Sequence, residues 1–390
     1  MPSRALLVGA ALLIAAPVIE IAAPAATADS ERTPFARQAD ASYAALQTYF
    51  AAGDGLYREQ YPVEPGDNAY SYEWPFSQAH VAALDLAVRP GSAGKRYAGA
   101  LATHDAAQLS YWHDAGTTGL PGFASGVEPP FGGGGDFFYD DNEWVGLEDV
   151  QHSAFFHDAA SLHQAQQIFA LVESGWDMDP SHPNPGGVFW TQASWSSDRN
   201  TVSNMPGAEL GLRLYQLTGR SEYLEWALRM YHWTNDNLQR PDGLYSDHVG
   251  LDGTIEKTVW SYNQGVPVGV NVLLYEVTGQ RHYLQEAERI AAASYDYFVR
   301  GGRLDGQPPF FNSIYFKNLL LLESVTHGTR YRQAMADYAE RMWSTHRDPA
   351  TGLFHFAAAG DQHVQMIEQA AMTQLYAVLS WPTSAYQHLY

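Results

Sequence analysis

Apolar residues recur along this chain with a helical period, and almost no stretch shows sustained period-2 alternation. The periodicity predicts helices over 33–52, 73–89, 94–112, 140–156, 157–175, 201–218, 220–239, 261–278, 281–299, 311–327, 329–345 and 363–381, separated by loops rich in Gly, Pro and Asp. These are twelve helices in six pairs. An internal repeat supports the pairing. Thr218-Gly219-x-x-x-Tyr223-Leu224 returns as Thr278-Gly279-x-x-x-Tyr283-Leu284, with a fainter copy at Thr326-His327-Gly328 and Tyr331. In each copy a glycine is expected to end one helix in the left-handed conformation, and a tyrosine to open the next.

Segments 201–218 and 261–278 are small and apolar, as inner helices should be. Segments 220–239 and 281–299 carry Arg, Glu and Gln on one face, as outer helices should. The chain is therefore read as all-α, six helical hairpins closed into an α/α toroid from about residue 32 to 390, with no linker dividing it. Asp242-Gly243-Leu244-Tyr245, Gly187-Val188-Phe189-Trp190 and Thr351-Gly352-Leu353-Phe354 are expected to form short extended pieces at one rim.

The first 28 residues change the picture of where the protein acts. Arg4, the apolar run from Ala5 to Pro17 and the small-x-small site Ala26-Thr27-Ala28 predict an export signal cleaved after Ala28, leaving a secreted catalytic domain over 29–390. No later run approaches the roughly 18 apolar residues of a membrane span. With no cysteine, disulfides cannot stabilise the secreted form. The net charge of −21 argues against nucleic acid and anionic lipid as partners. Only 17% of residues are charged while 13% are aromatic, which suits a neutral, hydroxyl-rich ligand.

The segment with the sharpest chemistry is Phe137-Phe138-Tyr139-Asp140-Asp141-Asn142-Glu143-Trp144-Val145-Gly146-Leu147, entered from the glycines at 132–135. One aspartate at a helix start is explained by capping; two behind an aromatic triplet are less well explained that way. Retaining glycosidases need two carboxyl groups about 5–5.5 Å apart. Adjacent Cα atoms are about 3.8 Å apart, so neighbours at a helix start can reach that separation. Two carboxylates so close resist double ionisation, which keeps one protonated. Trp144, Trp190, Trp195 and Trp260 are candidate sugar platforms, each equally suited to a core. Tyr262, Asn263 and Gln264 line up hydrogen-bonding groups at a helix start, where a capping turn is the plainer alternative. Lys317 sits in an apolar helix, where it either faces the site or snorkels.

No cofactor is expected. His152, His157 and His163 do not share a helical face, so they form no metal site. Asp247, Asp252 and Gly253 lack the alternating ligands of a calcium loop. The glycines at 132–135 lack a following Lys-Ser/Thr, and no G-x-S-x-G elbow is present.

The run Tyr139-Asp140-Asp141-Asn142-Glu143-Trp144 resembles the signature of glycoside hydrolase family 76, the endo-α-1,6-mannanases and related transglycosidases. Further segments resemble that family in order over about 70–380: Gly186-Gly187-Val188-Phe189-Trp190, Asn200-Thr201-Val202-Ser203-Asn204, Leu244-Tyr245-Ser246-Asp247, Trp260-Ser261-Tyr262-Asn263-Gln264-Gly265, and Phe316-Lys317-Asn318. The resemblance implies an (α/α)6 toroid and hydrolysis of α-1,6-mannosidic bonds with retention. It implies Asp140 as nucleophile, Asp141 as general acid/base and Asp247 as a ligand of sugar hydroxyls. Trp144, Trp190, Asn204, Trp260, Tyr262, Asn263, Gln264 and Lys317, which lie in these segments, are the further candidate substrate-binding residues. Val145 stands where a second Trp is common, Ser261 replaces Thr, and Asn318 replaces Gly, expected to alter a turn near the cleft.

The reading is thus a monomeric, secreted, retaining endo-α-1,6-mannanase acting on α-mannan. The rivals are a transglycosidase on α-mannosidic glycans, a uronide hydrolase or epimerase on the same toroid, and a non-catalytic glycan-binding protein. Few Lys or Arg flank the candidate site, against a uronide substrate, and the export signal argues against an epimerase.

Overall fold

The computed structural model describes residues 33–358 and 360–390. The expected export signal lies outside the described residues. Among them, twelve long helices follow the expected order. They are α1 (Pro34–Phe50), α2 (Glu73–Ala87), α3 (Ala98–Gln108), α4 (Tyr139–Phe156), α5 (Ala159–Ser174), α6 (Thr201–Thr218), α7 (Ser221–Leu238), α8 (Tyr262–Thr278), α9 (Arg281–Tyr295), α10 (Pro309–Thr326), α11 (Arg330–Thr345) and α12 (Met366–Leu379). Expected helix 94–112 shortens to α3, because a separate turn at Ser92–Lys95 precedes it and a 3₁₀ turn at Leu109–Tyr111 follows.

The even-numbered helices form the inner ring. Each packs on the next, and α12 packs on α2 to close it, while the odd-numbered helices form the outer layer. This is the expected (α/α)6 toroid. The inner helices are buried on all sides: every residue of α8 from Tyr262 to Leu274 is buried. Outer helix α9 instead buries only one stripe, Tyr283, Ala287, Ile290, Ala291 and Ser294. Close approach within the inner ring needs residues without side chains. A Cβ on Gly265 of α8 would lie 2.6 Å from Tyr315 Cα of α10, and one on Gly269 would lie 1.8 Å from Asn318 Oδ1. Asn318 is therefore not at a turn near the cleft. It is wholly buried in mid-helix, its amide donating to Ile314 O at 3.1 Å while its oxygen occupies the space that Gly269 leaves.

Connections from inner to following outer helix are short, such as 219–220 and 279–280. Those from outer to inner are long, such as 109–138 and 175–200. Gly219 and Gly279 have φ of 71° and 69°, and each amide donates to the carbonyl four residues back at 2.8 Å. In the third copy His327, not Gly328, takes the left-handed conformation, with φ 58°.

All the long loops gather at the rim where the inner helices begin. They pair in short ladders: β1 (Gln60–Tyr61) with β7 (Val364–Gln365), β2 (Trp112–His113) with β3 (Gly122–Phe123), and a three-stranded ladder of β4 (Asp198–Asn200), β5 (His248–Gly250) and β6 (Ile255–Glu256). The expected extended pieces form isolated bridges: Val188 with Trp176 and Phe189 with Arg199, Tyr245 with Gln239, and Phe354 with Arg347.

Candidate active site

The first turns of four of the six inner helices share one device. An amide side chain reaches back and holds the backbone of the preceding loop as a strand partner would. Asn142 Oδ1 accepts from Phe123 N at 2.8 Å and its Nδ2 donates to Phe123 O at 3.0 Å and Phe138 O at 2.8 Å. Asn204 does the same for Val188 N (2.9 Å), Val188 O (3.3 Å) and Asn200 O (2.8 Å). Gln264 does it for Tyr245 N (2.7 Å), Tyr245 O (3.1 Å) and Trp260 O (3.0 Å). In α12, Gln369 accepts from Phe354 N at 3.1 Å. Backbone groups of loops that must run beside a core are satisfied this way, and the loops are fixed over the helix N-termini.

Asp140 and Asp141 occupy the first turn of α4. The segment before them pairs with the loop carrying Trp190: Tyr139 N donates to Trp190 O at 2.9 Å, and Gln192 N to Phe137 O at 2.9 Å. That pairing brings the indole over the acid, and Trp190 Nε1 donates to Asp140 Oδ2 at 3.1 Å. Asp140 Oδ1 is buried without a protein partner. Burial pushes the Asp140 carboxyl up to about 7, restrained by the Trp190 donor and by the amides at the helix start. Asp141 is pushed well above the usual carboxylate range, first by desolvation, then by the charges of Asp140 and Glu73. Neither aspartate spends its side chain as a helix cap.

The neighbouring helices complete the site. Glu73 begins α2, only 1% exposed, with Oε1 accepting from Gln108 Nε2 at 2.7 Å and Oε2 unpartnered. Burial and the charge of Asp140 push it up to about 8. Tyr262 begins α8, its hydroxyl pushed up by burial first and then by the charges of Asp247, Asp140 and Asp141. Asp247 is held on both oxygens, by Asn263 Nδ2 at 3.0 Å and His248 Nδ1 at 2.9 Å.

Aromatic groups flank the acids on two sides. Phe138, Trp190 and the 56% exposed Trp195 form one cluster, with centroids 5.0–6.1 Å apart. Phe311 centres the other, stacked on Tyr262 at 3.9 Å and contacting Trp74 and Trp260.

Several expected contacts lie elsewhere. Trp144 is 1% exposed, inside the hydrophobic core, because it projects from α4 opposite to the site. Asn204 and Gln264 are fully buried and engaged by loop backbone, so the amides have no group left for a sugar. Lys317 is 1% exposed and paired with Asp85 at 2.9 Å deep inside the ring, its Nζ 4.8 Å from the Tyr390 ring. These placements correct the expectation that all four contact substrate. Asp140, Asp141, Trp190, Asp247, Trp260, Tyr262 and Asn263 are brought to one rim. Glu73, His248, Asp198 and Phe311 join them without having been singled out; only the Tyr72-Glu73-Trp74 run, an acid between aromatics at a helix start, repeats the pattern of the Tyr139–Trp144 segment.

A cavity of about 580 Å³, lined by Leu147, Val150, Leu217, Arg213 and His388 among others, lies at the opposite, short-loop rim and shares none of these acids. Among the described residues no three His, Asp or Glu side chains are grouped to hold a metal, and no helix is long and apolar enough to cross a membrane.

Residues 128–382, which carry the paired aspartates, the Trp190 loop and the Asp247 loop, match the model of Glycosyl hydrolase family 76. The chain belongs to that family. Among curated relatives, the mannan endo-1,6-alpha-mannosidase DCW1 of Candida glabrata is 30% identical over 146 residues, 35% of this chain and 32% of the relative. DCW1 of Saccharomyces cerevisiae is 30% identical over 149 residues, 36% of this chain and 32% of the relative. The matched region is about a third of the length of these relatives. The solved family 76 mannosidase Bt3792 of Bacteroides thetaiotaomicron is 25% identical, with a TM-score of 0.77 over 89% of this chain and 98% of that one. An inactive α-1,6-mannanase of Salegentibacter, two consecutive aspartates replaced by asparagine, is solved with α-1,6-mannotriose; it is 18% identical, with a TM-score of 0.70 over 89% and 99% of the two chains.

Proposed function

We propose that this chain is a secreted, retaining endo-α-1,6-mannanase. The observation that carries the reading is the pair of adjacent carboxyls at the start of α4, held apart in proton affinity by their surroundings. Asp140, with an indole donor and helix-start amides, is the more readily ionised and serves as nucleophile. Asp141, next to Asp140 and Glu73, keeps its proton and serves as the acid. In the first step Asp141 protonates the glycosidic oxygen while an Asp140 oxygen attacks the anomeric carbon, and the leaving sugar departs with that proton. In the second step Asp141 takes a proton from water, whose oxygen displaces Asp140 and restores the starting configuration. Asp247 binds hydroxyls of the sugar being cleaved, and the two aromatic clusters stack sugars on either side, as cleavage within a chain requires. The curated relatives, named as endo-1,6-alpha-mannosidases, support the linkage. Export through residues 1–28 belongs to the same proposal.

The test is incubation of the mature protein with linear α-1,6-mannan, following oligosaccharide products and their initial anomeric form by proton NMR. Mixed-length oligosaccharides born as α-anomers are expected. Products born as β-anomers overturn the retaining mechanism, and an untouched polymer overturns the activity.

Trp190→Phe isolates the indole donor. Asp140 must be ionised to attack, so activity falls as pH drops through its value of about 7. Removing the donor raises that value further, so the acid limb of kcat/KM moves to higher pH. A charge-assisted hydrogen bond is worth about 1.5–3 kcal/mol, which corresponds to a loss of about tenfold or more on the acid side and less on the alkaline side. An unchanged pH profile would remove Trp190 from this role.

A further inference from the structure

Asp247 stands among other carboxylates. Its charge, with those of Asp140 and Asp141, pushes up the Tyr262 hydroxyl, and Glu256 of β6 lies beside Asp247 on the rim ladder. Its backbone is pinned by Glu256 O, which accepts from Asp247 N at 2.9 Å, and by Thr201 N, which donates to Asp247 O at 2.9 Å. Its side chain receives one donor per oxygen, Asn263 Nδ2 on Oδ1 and His248 Nδ1 on Oδ2. His248 is the first residue of β5, between Asn200 and Glu256 across the ladder, and is partly open to solvent.

We infer that His248 is a positioning residue for substrate binding: its imidazole holds the Asp247 carboxylate turned toward the sugar hydroxyls. The inference rests on the reading of Asp247 as a sugar ligand. An ionised carboxylate only accepts, so His248 Nδ1 carries a proton in this contact. The charged groups facing the ring are Asp247 itself, Asp198 and Glu256, and all three favour the imidazolium. Accordingly its proton is held above the ordinary value of about 6.5, first by the Asp247 hydrogen bond. As pH rises through that value the contact loses its charge assistance, and Asp247 is held less firmly. His248 does not touch the bond being cleaved, so its loss should act on sugar binding and leave the chemical step alone.

The experiment compares wild type, His248→Ala and His248→Asn on α-1,6-mannotetraose across pH 5–9, with thermal melts confirming folding. Expected for His248→Ala is a KM raised about tenfold with kcat within about threefold, the loss of one hydrogen bond to a charged group. Asparagine places an N–H near the position of imidazole Nδ1, so His248→Asn should recover most of the affinity while abolishing the alkaline rise in KM. A fall in kcat with KM unchanged, or an asparagine variant no better than alanine, overturns the inference. A second readout needs no turnover: the NMR titration of His248 should move to lower pH in Asp247→Asn, and an unmoved titration overturns the clamp. Wild type inactive on α-1,6-mannan would instead overturn the proposed activity, and the titration would still decide the clamp.

Discussion

Asp140→Asn should lower kcat on linear α-1,6-mannan by about 10⁴-fold, because the amide cannot form the glycosyl ester on which retention depends. Asp141→Asn should cost about 10²–10⁴-fold on mannan, the usual scale of general acid–base assistance. The two variants should fail differently. With a mannoside bearing a good leaving group, Asp141→Asn still forms the glycosyl-enzyme and stalls at its hydrolysis. Azide, which needs no general base, then attacks that intermediate and yields an α-mannosyl azide. In Asp140→Ala azide enters from the vacated nucleophile side and yields the β-azide. Burial raises both acids, while the Trp190 donor restrains Asp140, and the proposed separation of roles rests on that difference. Near-wild-type turnover by either asparagine variant, or α-azide from Asp140→Ala, would sink the assignment.

Lys317→Met should destabilise the fold and spare the affinity for mannan. Lys317 and Asp85 are 1% and 0% exposed and lie 2.9 Å apart inside the inner ring. Gln151 Nε2 also donates to Asp85 at 3.1 Å. Removing one partner of a buried ion pair costs about 3–5 kcal/mol, since the other is left uncompensated. For a chain of this length that is a fall in Tm of about 4–7 °C. Asp85 can relieve the loss by taking a proton, which fixes the sign of the pH effect. Its folded value is already raised, by desolvation first, and without Lys317 it rises further. The folded state then binds a proton that the unfolded state releases above about pH 4, so the deficit is small at low pH and grows as pH rises. Differential scanning calorimetry of both proteins between pH 4 and 8 checks this. A raised KM with unchanged Tm would mean that the lysine reaches the substrate after all.

The rest of the candidate site shows where sequence reading reached and where it stopped. Asp140 and Asp141 were legible because an acidic pair at a helix start behind aromatics has few structural uses. Asn204 and Gln264 were equally legible as polar groups at helix starts, yet they hold loop backbone. A side-chain amide satisfies a peptide group and a sugar hydroxyl with the same atoms, so residue type alone cannot separate the two uses. Trp144 belongs to the same short run as the aspartates, but a few residues along a helix turn a side chain from the rim into the core. Glu73 and His248 went unnoticed because their importance comes from neighbours distant in sequence, Asp140 and Gln108 for one, Asp198 and Glu256 for the other.

By itself the sequence determined the order of twelve helices, their division into buried and half-exposed kinds, and the position of the acidic pair. Those properties depend on local periodicity, on left-handed helix stops and on residues adjacent in the chain. Only the tertiary structure decided which polar side chains gather at the acidic rim, which hold loops, and which pair in the interior. Those assignments depend on what a closed ring of inner helices brings side by side, and on the burial that ring imposes.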